Sequence, residues 1–259
     1  MFQSREPDWD GLDRNREKPL GNPVMLQTWH DLVFLHARVP VEALQSMVPK
    51  GLVVEEFEGT GWLGFVPFRM SGVRKPGSPA VPWLGSFHET NIRTYVTHPK
   101  YGPGVWFFSL DAERFLACWY ARKFFKLPYF HAIQSSQIDE VSWQYSGHRK
   151  VRQNLPKLAC DVANLKDYLV SAEQSGQWHQ ASSRTFEYWL AERYRLYSLG
   201  SQGSLLTARV FHEPYHLSDA VVKQVVISGL ESQFGLLDFH SVLLAKTLNV
   251  QCFSPERVS

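Results

Sequence analysis

FHETNIRTYV, residues 87–96, decides how the chain reads. With strand alternation, Phe87, Glu89, Asn91, Arg93 and Tyr95 point to one side, and His88, Thr90, Ile92, Thr94 and Val96 to the other. The second set makes an ordinary core face. The first puts a carboxylate, an amide, a guanidinium and a phenol at every second residue, a lining suited to a polar cavity; the alternative is a solvated outer face. Gly102 and Gly104 permit a turn, and residues 105–110, VWFFSL, return without polar alternation, as a strand covered on both sides does.

The returning strand leads into DAERFLACWYARKFFKLPYF, residues 111–130. Asp111 suits an N-cap, Glu113 suits the positive end of a helix dipole, and Pro128 forbids a helix past about Lys126. Phe115, Cys118, Trp119 and Arg122 share one stripe, so Arg122 is expected on the buried face. A buried guanidinium needs a carboxylate or several acceptors, and Glu89 is the nearest candidate. The alternative is an Arg122 that runs along the helix edge with its head in water.

Outward from this centre, residues 1–23 are rich in charge, Gly and Pro and read as a flexible arm that Trp9 could anchor, ahead of a single domain over residues 24–259. From Trp29 the pattern is strand, with Leu32, Phe34, His36 and Arg38 on one face. A short helix over residues 41–47 precedes a hairpin of residues 52–57 and 62–69. Pro67 inside its second arm implies an edge or a bulge, because proline cannot donate to a ladder. Residues 71–86 form a loop long enough to cover a site mouth, with Trp83 as its plug. Further strands are expected over 138–145 and 205–211, and a helix over 184–197 capped by Ser183. Residues 154–180 and 220–253 give no resolved pattern.

The 259 residues carry a net charge of +2 and are 44% hydrophobic, enough for one large core. Charge is scattered, so no nucleic-acid partner is expected; the knot of His148, Arg149, Lys150 and Arg152 reads as a solvated hairpin. Cys118, Cys160 and Cys252 have no metal or disulfide spacing, and no cofactor is expected. Without a leader pattern or an uncharged apolar run of membrane length, the expectation is a soluble cytoplasmic protein with no membrane partner. Residues 212–216 spell HExxH, the zinc-protease pattern, but Pro214 removes Glu213 from the helical region, so the two imidazoles should not stack on one helix face. No GxSxG elbow supports a serine hydrolase.

HDLVFLHARVP (residues 30–40), GWLGFVPFRMSGVR (61–74), FHETNIRTYV, GVWFFSLDAE (104–113), ARKFFKLPYF (121–130) and FEYWLAERYRLY (186–197) together resemble the YqjF-like family of uncharacterised bacterial proteins. That family is similar to the acetoacetate-decarboxylase-like superfamily. The resemblance implies an α+β, mainly antiparallel fold: a cone-shaped β-barrel with packed helices and an interior site. The decarboxylases use two adjacent lysines after a proline, one as a Schiff-base nucleophile and one that depresses its pKa. Here Tyr129 and Phe130 follow Pro128, so the resemblance does not extend to Schiff-base decarboxylation. Glu89 matches the cavity glutamate, and His30 falls near the position of an arginine. The expected site is a small-molecule cavity for a carboxylate or carbonyl compound, with Glu89 and Tyr129 as catalytic candidates. Arg93, Arg122, Asn91, Tyr95, His30 and His36 are the ligand-binding candidates. Rival readings are an enzyme using Glu89 and Tyr129 on an enolisable substrate, and an interaction module whose pocket is filled. A homo-oligomer is compatible with each.

Overall fold

Runs of β-branched and aromatic residues bounded by Gly and Pro breaks set a strand-rich architecture. The computed structural model describes residues 5–80, 85–150, 164–200 and 203–258. Helix α1 (Trp9–Arg16) precedes β1 (Met25–His30), β2 (Leu32–Val39), α2 (Val41–Ser46) and β3 (Val53–Val54). The central strands are β4 (Gly61–Arg74), β5 (Phe87–His98) and β6 (Gly102–Ala112), followed by α3 (Phe115–Phe124), β7 (Tyr129–Ile138), β8 (Ser142–Arg149) and β9 (Asp167–Gln174). Then come α4 (Phe186–Ala191), β10 (Arg195–Leu199), β11 (Leu205–Phe211) and β12 (Leu217–Ile227). The chain closes with α5 (Glu231–Phe234), β13 (Phe239–Ala245), β14 (Leu248–Cys252) and β15 (Glu256–Arg257).

Pairing closes two rings that share β4, β5 and β6. In one, β6 joins β10, β11, β14 and β1, and β1 returns to β4. In the other, β6 continues through β7, β8, β9, β12, β13 and β2 back to β4. Pairing is antiparallel apart from the β6–β10 and β6–β7 contacts. The second ring is packed solid by Phe65, Ile92, Phe108, Tyr145, Val170 and Leu244, among others. The first holds a cavity. A bulge on β6 opposite Ile92 and Arg93 resets the alternation, so that Phe107 and Leu110 both face the cavity while Phe108 joins the solid core.

Pro67 sits where β4 changes partners. The strand pairs with β2 as far as Phe65 and with β1 from Arg69. The missing N–H falls in the gap between them, which takes the place of the expected edge or bulge.

Several expectations are corrected. β3 pairs with β5 rather than with β4, and only the Phe57–Thr60 bridge remains of the expected hairpin. The strand expected over residues 138–145 is split by a turn, in which Asp139 accepts from the backbone N–H groups of Val141 and Ser142. α4 ends at Ala191, capped by Thr185 rather than Ser183, because β10 is drawn into pairing with β11. The N-terminal stretch read as an arm is docked in its described part: Leu12 is buried, Asn15 donates to the Pro103 carbonyl, and Arg5 pairs with Glu42 and Glu56. Residues 212–216, by contrast, lie between β11 and β12 without helix, as Pro214 implies, so the two histidines lack the helical spacing of the zinc pattern. Trp83, Arg152 and Cys160 lie outside the described residues. No helix among the described residues is long and apolar enough to cross a membrane.

Asp111 is not a helix cap. β6 runs through Ala112, and α3 begins after Arg114 with no side-chain cap. Asp111 is buried and accepts from Arg149 Nε at 2.8 Å and Nη2 at 2.5 Å, while the guanidinium lies 4.0 Å over the Phe130 ring. Arg149 therefore belongs to a buried ion pair, not to a solvated hairpin. Burial pushes the Asp111 carboxyl up against the opposing pull of Arg149. Arg149→Ala should cost about 3–5 kcal/mol in urea denaturation, because it strands a buried charge, whereas the double change Asp111→Leu with Arg149→Met should cost markedly less.

Candidate functional site

The cavity of about 580 Å³ lies inside the first ring. Phe87, Glu89, Asn91 and Arg93 line it from alternate positions of β5, opposite Met25, Gln27 and Trp29 of β1 and Leu196 of β10. Val66 and Phe68 of β4, Phe107 and Leu110 of β6, and Val210 of β11 make most of the remaining wall apolar. α3 lies over it with Leu116, Trp119 and Tyr120. Arg74 at the end of β4, with Lys75 and Ser78 beyond it, marks the mouth; Lys75 is exposed and is the lysine of the lining among the described residues.

Glu89 is 3% exposed and accepts a hydrogen bond from the Tyr129 hydroxyl at 2.7 Å. Tyr129 reaches it because the chain turns at Pro128 and starts β7 alongside β6, with Tyr129 beside Leu110. Desolvation pushes the Glu89 carboxyl up to about 8, the nearby Asp111 adds to the rise, and the Tyr129 hydrogen bond opposes it. Near neutral pH the carboxyl is therefore mostly protonated. Tyr129 itself is held well above the ordinary phenol range by burial and by Glu89.

Arg93 lies at the far end of the same row. Its Nη2 donates to the Leu190 carbonyl at 3.3 Å and to the Tyr95 hydroxyl at 3.4 Å, both long, and its Nε is buried without a partner among the described residues. The guanidinium stacks 5.3 Å from the Phe34 ring. Gly64 leaves room for this packing: a Cβ there would stand 3.2 Å from Arg93 Cγ and 3.3 Å from His36 Nε2. The Oδ1 of Asn91, between Glu89 and Arg93, is likewise buried and unpartnered.

Other candidates fall elsewhere. Tyr95 and His36 pair at 2.5 Å behind Arg93 rather than in the cavity lining, and burial holds His36 well below its ordinary pKa. His30 bonds Ser71 at 2.7 Å and Thr247 at 3.1 Å, also outside the lining. Arg122 does not pair with Glu89. Its Nε donates to the Tyr129 carbonyl, and Phe115 and Trp119 of its stripe are 42% and 50% exposed. The expected buried stripe is thus divided, with Phe115 and Trp119 exposed and Cys118 buried.

Two arrangements went unread in the sequence. Glu55 and Arg193 form a buried ion pair at 2.8 Å, with Trp189 Nε1 donating to the same carboxylate oxygen, and this fixes α4 behind Arg93. His88 bonds Glu113 at 2.6 Å and Ser136 at 2.9 Å, the connectivity of a nucleophile relay. Ser136 nonetheless lies within β7, paired with Tyr145, and not on a strained turn, so the triplet serves to tie β5, β7 and the start of α3 together.

The model of the DUF2071 family, described as an uncharacterized conserved protein, matches residues 26–249. The chain belongs to this family. The uncharacterized protein YqjF of Bacillus subtilis (strain 168) is 36% identical over 207 residues, spanning 80% of each chain. An acetoacetate-decarboxylase-like enzyme from Sphingomonas wittichii RW1 superposes with a TM-score of 0.62 at 10% identity, over 93% of this chain and 95% of that one. The enduracididine biosynthesis enzyme MppR complexed with pyruvate gives 0.60 at 12% identity, over 93% and 92%. The fold of this DUF2071 member is accordingly acetoacetate-decarboxylase-like, as the sequence resemblance implies.

A carboxyl that folding keeps protonated stabilises fully below its unfolded pKa, and that contribution is lost as pH rises toward the folded value. For Glu89 the window runs from its ordinary value of 4.5 to about 8. Thermal and urea unfolding should show Glu89→Gln gaining on the wild type across that window, by at most about 1.4 kcal/mol per pH unit. In Tyr129→Phe the upper edge of the window should move to higher pH, because the bond that favours the charged form is gone.

Proposed function

We propose that this protein binds a small organic carboxylate or carbonyl compound in the ring cavity, by chemistry that needs no Schiff-base lysine. The observation that carries this reading is a buried, hydrogen-bonded carboxyl in a mainly apolar chamber, with a guanidinium farther along the same strand that has no carboxylate within ion-pair distance among the described residues. A protonated Glu89 can donate to a ligand carbonyl, Tyr129 holds it in place, and Arg93 supplies the charge for a carboxylate. Support for a keto acid comes from MppR, a distant structure of the same fold that holds pyruvate. Support for lysine-free chemistry comes from the lining, where Lys75 is exposed at the mouth rather than desolvated beside Glu89. A cavity of about 580 Å³ speaks against a pocket filled by its own side chains.

The hydrogen-bonded Glu89–Tyr129 pair on the cavity wall favours catalysis over binding alone. A carboxyl poised at about 8 exchanges its proton readily near neutral pH. On an enolisable substrate, the ionised minority of Glu89 would take a proton from the carbon beside a carbonyl, and the Tyr129 hydroxyl, released from Glu89 as that carboxyl becomes protonated, would turn to donate to the enolate oxygen that forms.

Thermal shift against a panel of carboxylates and keto acids should find at least one that raises Tm, and Arg93→Met should abolish that rise. If no acid stabilises the protein, the binding reading falls. Borohydride added with the same keto acids should leave the mass of the protein unchanged; a covalent adduct would overturn the lysine-free chemistry.

A further inference from the structure

The polar groups of the cavity are not gathered at one point. Glu89 and Arg93 lie four residues apart on an extended strand, which at about 3.3 Å per residue separates their Cα atoms by about 13 Å. The apolar part of the lining includes Val66, Phe68, Phe107, Leu110, Leu196 and Val210; of the other arginines there, Arg193 is engaged by Glu55, Arg195 by Thr207 and Arg209 by the Asn15 and Glu17 carbonyls. Asn91 is the sole polar side chain of β5 at the midpoint. A three-carbon acid gripping Arg93 would leave Tyr129 and Glu89 untouched and the apolar wall wet, which forfeits most of the burial such a chamber offers. The volume, about 580 Å³, lies in the range that encloses drug-sized ligands and is several times what a three-carbon acid fills.

We propose that the ligand is an elongated amphipathic acid, with its carboxylate at Arg93, a chain of apolar carbons along the wall, and a carbonyl at Glu89 and Tyr129. This rests on the carboxylate and carbonyl reading above and adds length and polarity pattern to it. Side-chain reach shortens the gap between the two polar ends to on the order of 10 Å, and an extended chain gains about 1.2 Å per bond, so about eight bonds separate the head groups. The buried, unpartnered Arg93 Nε has an acceptor in the carboxylate. The Glu89 oxygen that Tyr129 does not occupy faces the carbonyl.

The test is calorimetry and thermal shift with three probes: pyruvate, nonanoate, and a linear keto acid of about ten carbons with its ketone on the penultimate carbon. The long keto acid should bind at least about tenfold tighter than pyruvate, a difference of about 1.4 kcal/mol, with nonanoate between them. Arg93→Met should weaken both long acids together. Glu89→Gln and Tyr129→Phe should erase the advantage of the keto acid over nonanoate. Ala208→Leu, which thickens the wall beside Leu196, should weaken the long acids and spare pyruvate. Pyruvate binding as tightly as the long keto acid would overturn the length assignment while the carboxylate reading stood. Silence from all three probes would sink both.

Discussion

The constraint on which the structure turns is that β5 has no solvent face. One side looks into a ring packed with Ile92, Val96 and their neighbours, and the other into a hollow ring. Alternation along FHETNIRTYV therefore separates core from cavity rather than core from water. That explains how Glu89, Asn91 and Arg93 can all be under a tenth exposed yet unpaired with one another. An ionisable group in such a place must find a partner, give up its charge or wait for a ligand. Glu89 gives up its charge near neutral pH, Arg193 has Glu55, and Arg93 is held by two long hydrogen bonds.

How much of this could be read from the chain follows from where the deciding contacts lie. The cavity row on β5 was legible because period-two alternation is local and strong. Tyr129 was legible through the resemblance after Pro128. Asp111 was misread because an acidic residue followed by a helical pattern satisfies the local capping rule, while its true partner, Arg149, lies 38 residues away. Arg122 was misread for the opposite reason: its stripe is apolar, but α3 covers a cavity mouth and leaves much of that stripe facing water. The helix over residues 184–197 stopped early because β10 pairs with β11 and because Arg193 is drawn in to Glu55, neither of which leaves a trace in helical periodicity. The N-terminal residues look unstructured by composition, and only their contacts with distant backbone, such as the Asn15 bond to Pro103, hold α1 in place.

The same separation of scales applies to the site. Residues on one strand announced themselves, while the groups that brace them from behind did not. His36 and Tyr95 behind Arg93, and Glu55 with Trp189 behind α4, act through contacts between segments far apart in the chain. Their burial is what keeps Arg93 aimed, with its stem lying over Gly64 and its guanidinium packed against Phe34.

The ring around the cavity is also sewn unevenly. β4, β5 and β6 share long ladders, but β10 meets β6 through two residue pairs, Leu196 with Val105 and Tyr197 with Trp106, and β11 meets β14 through two more. Those are the shortest ladders around the cavity, and few backbone hydrogen bonds hold the wall there. Access for a bulky guest then need not run through the rim beneath α3. A transient split on the opposite flank would admit it beside Arg93, and amide exchange at those four pairs would register each such breath.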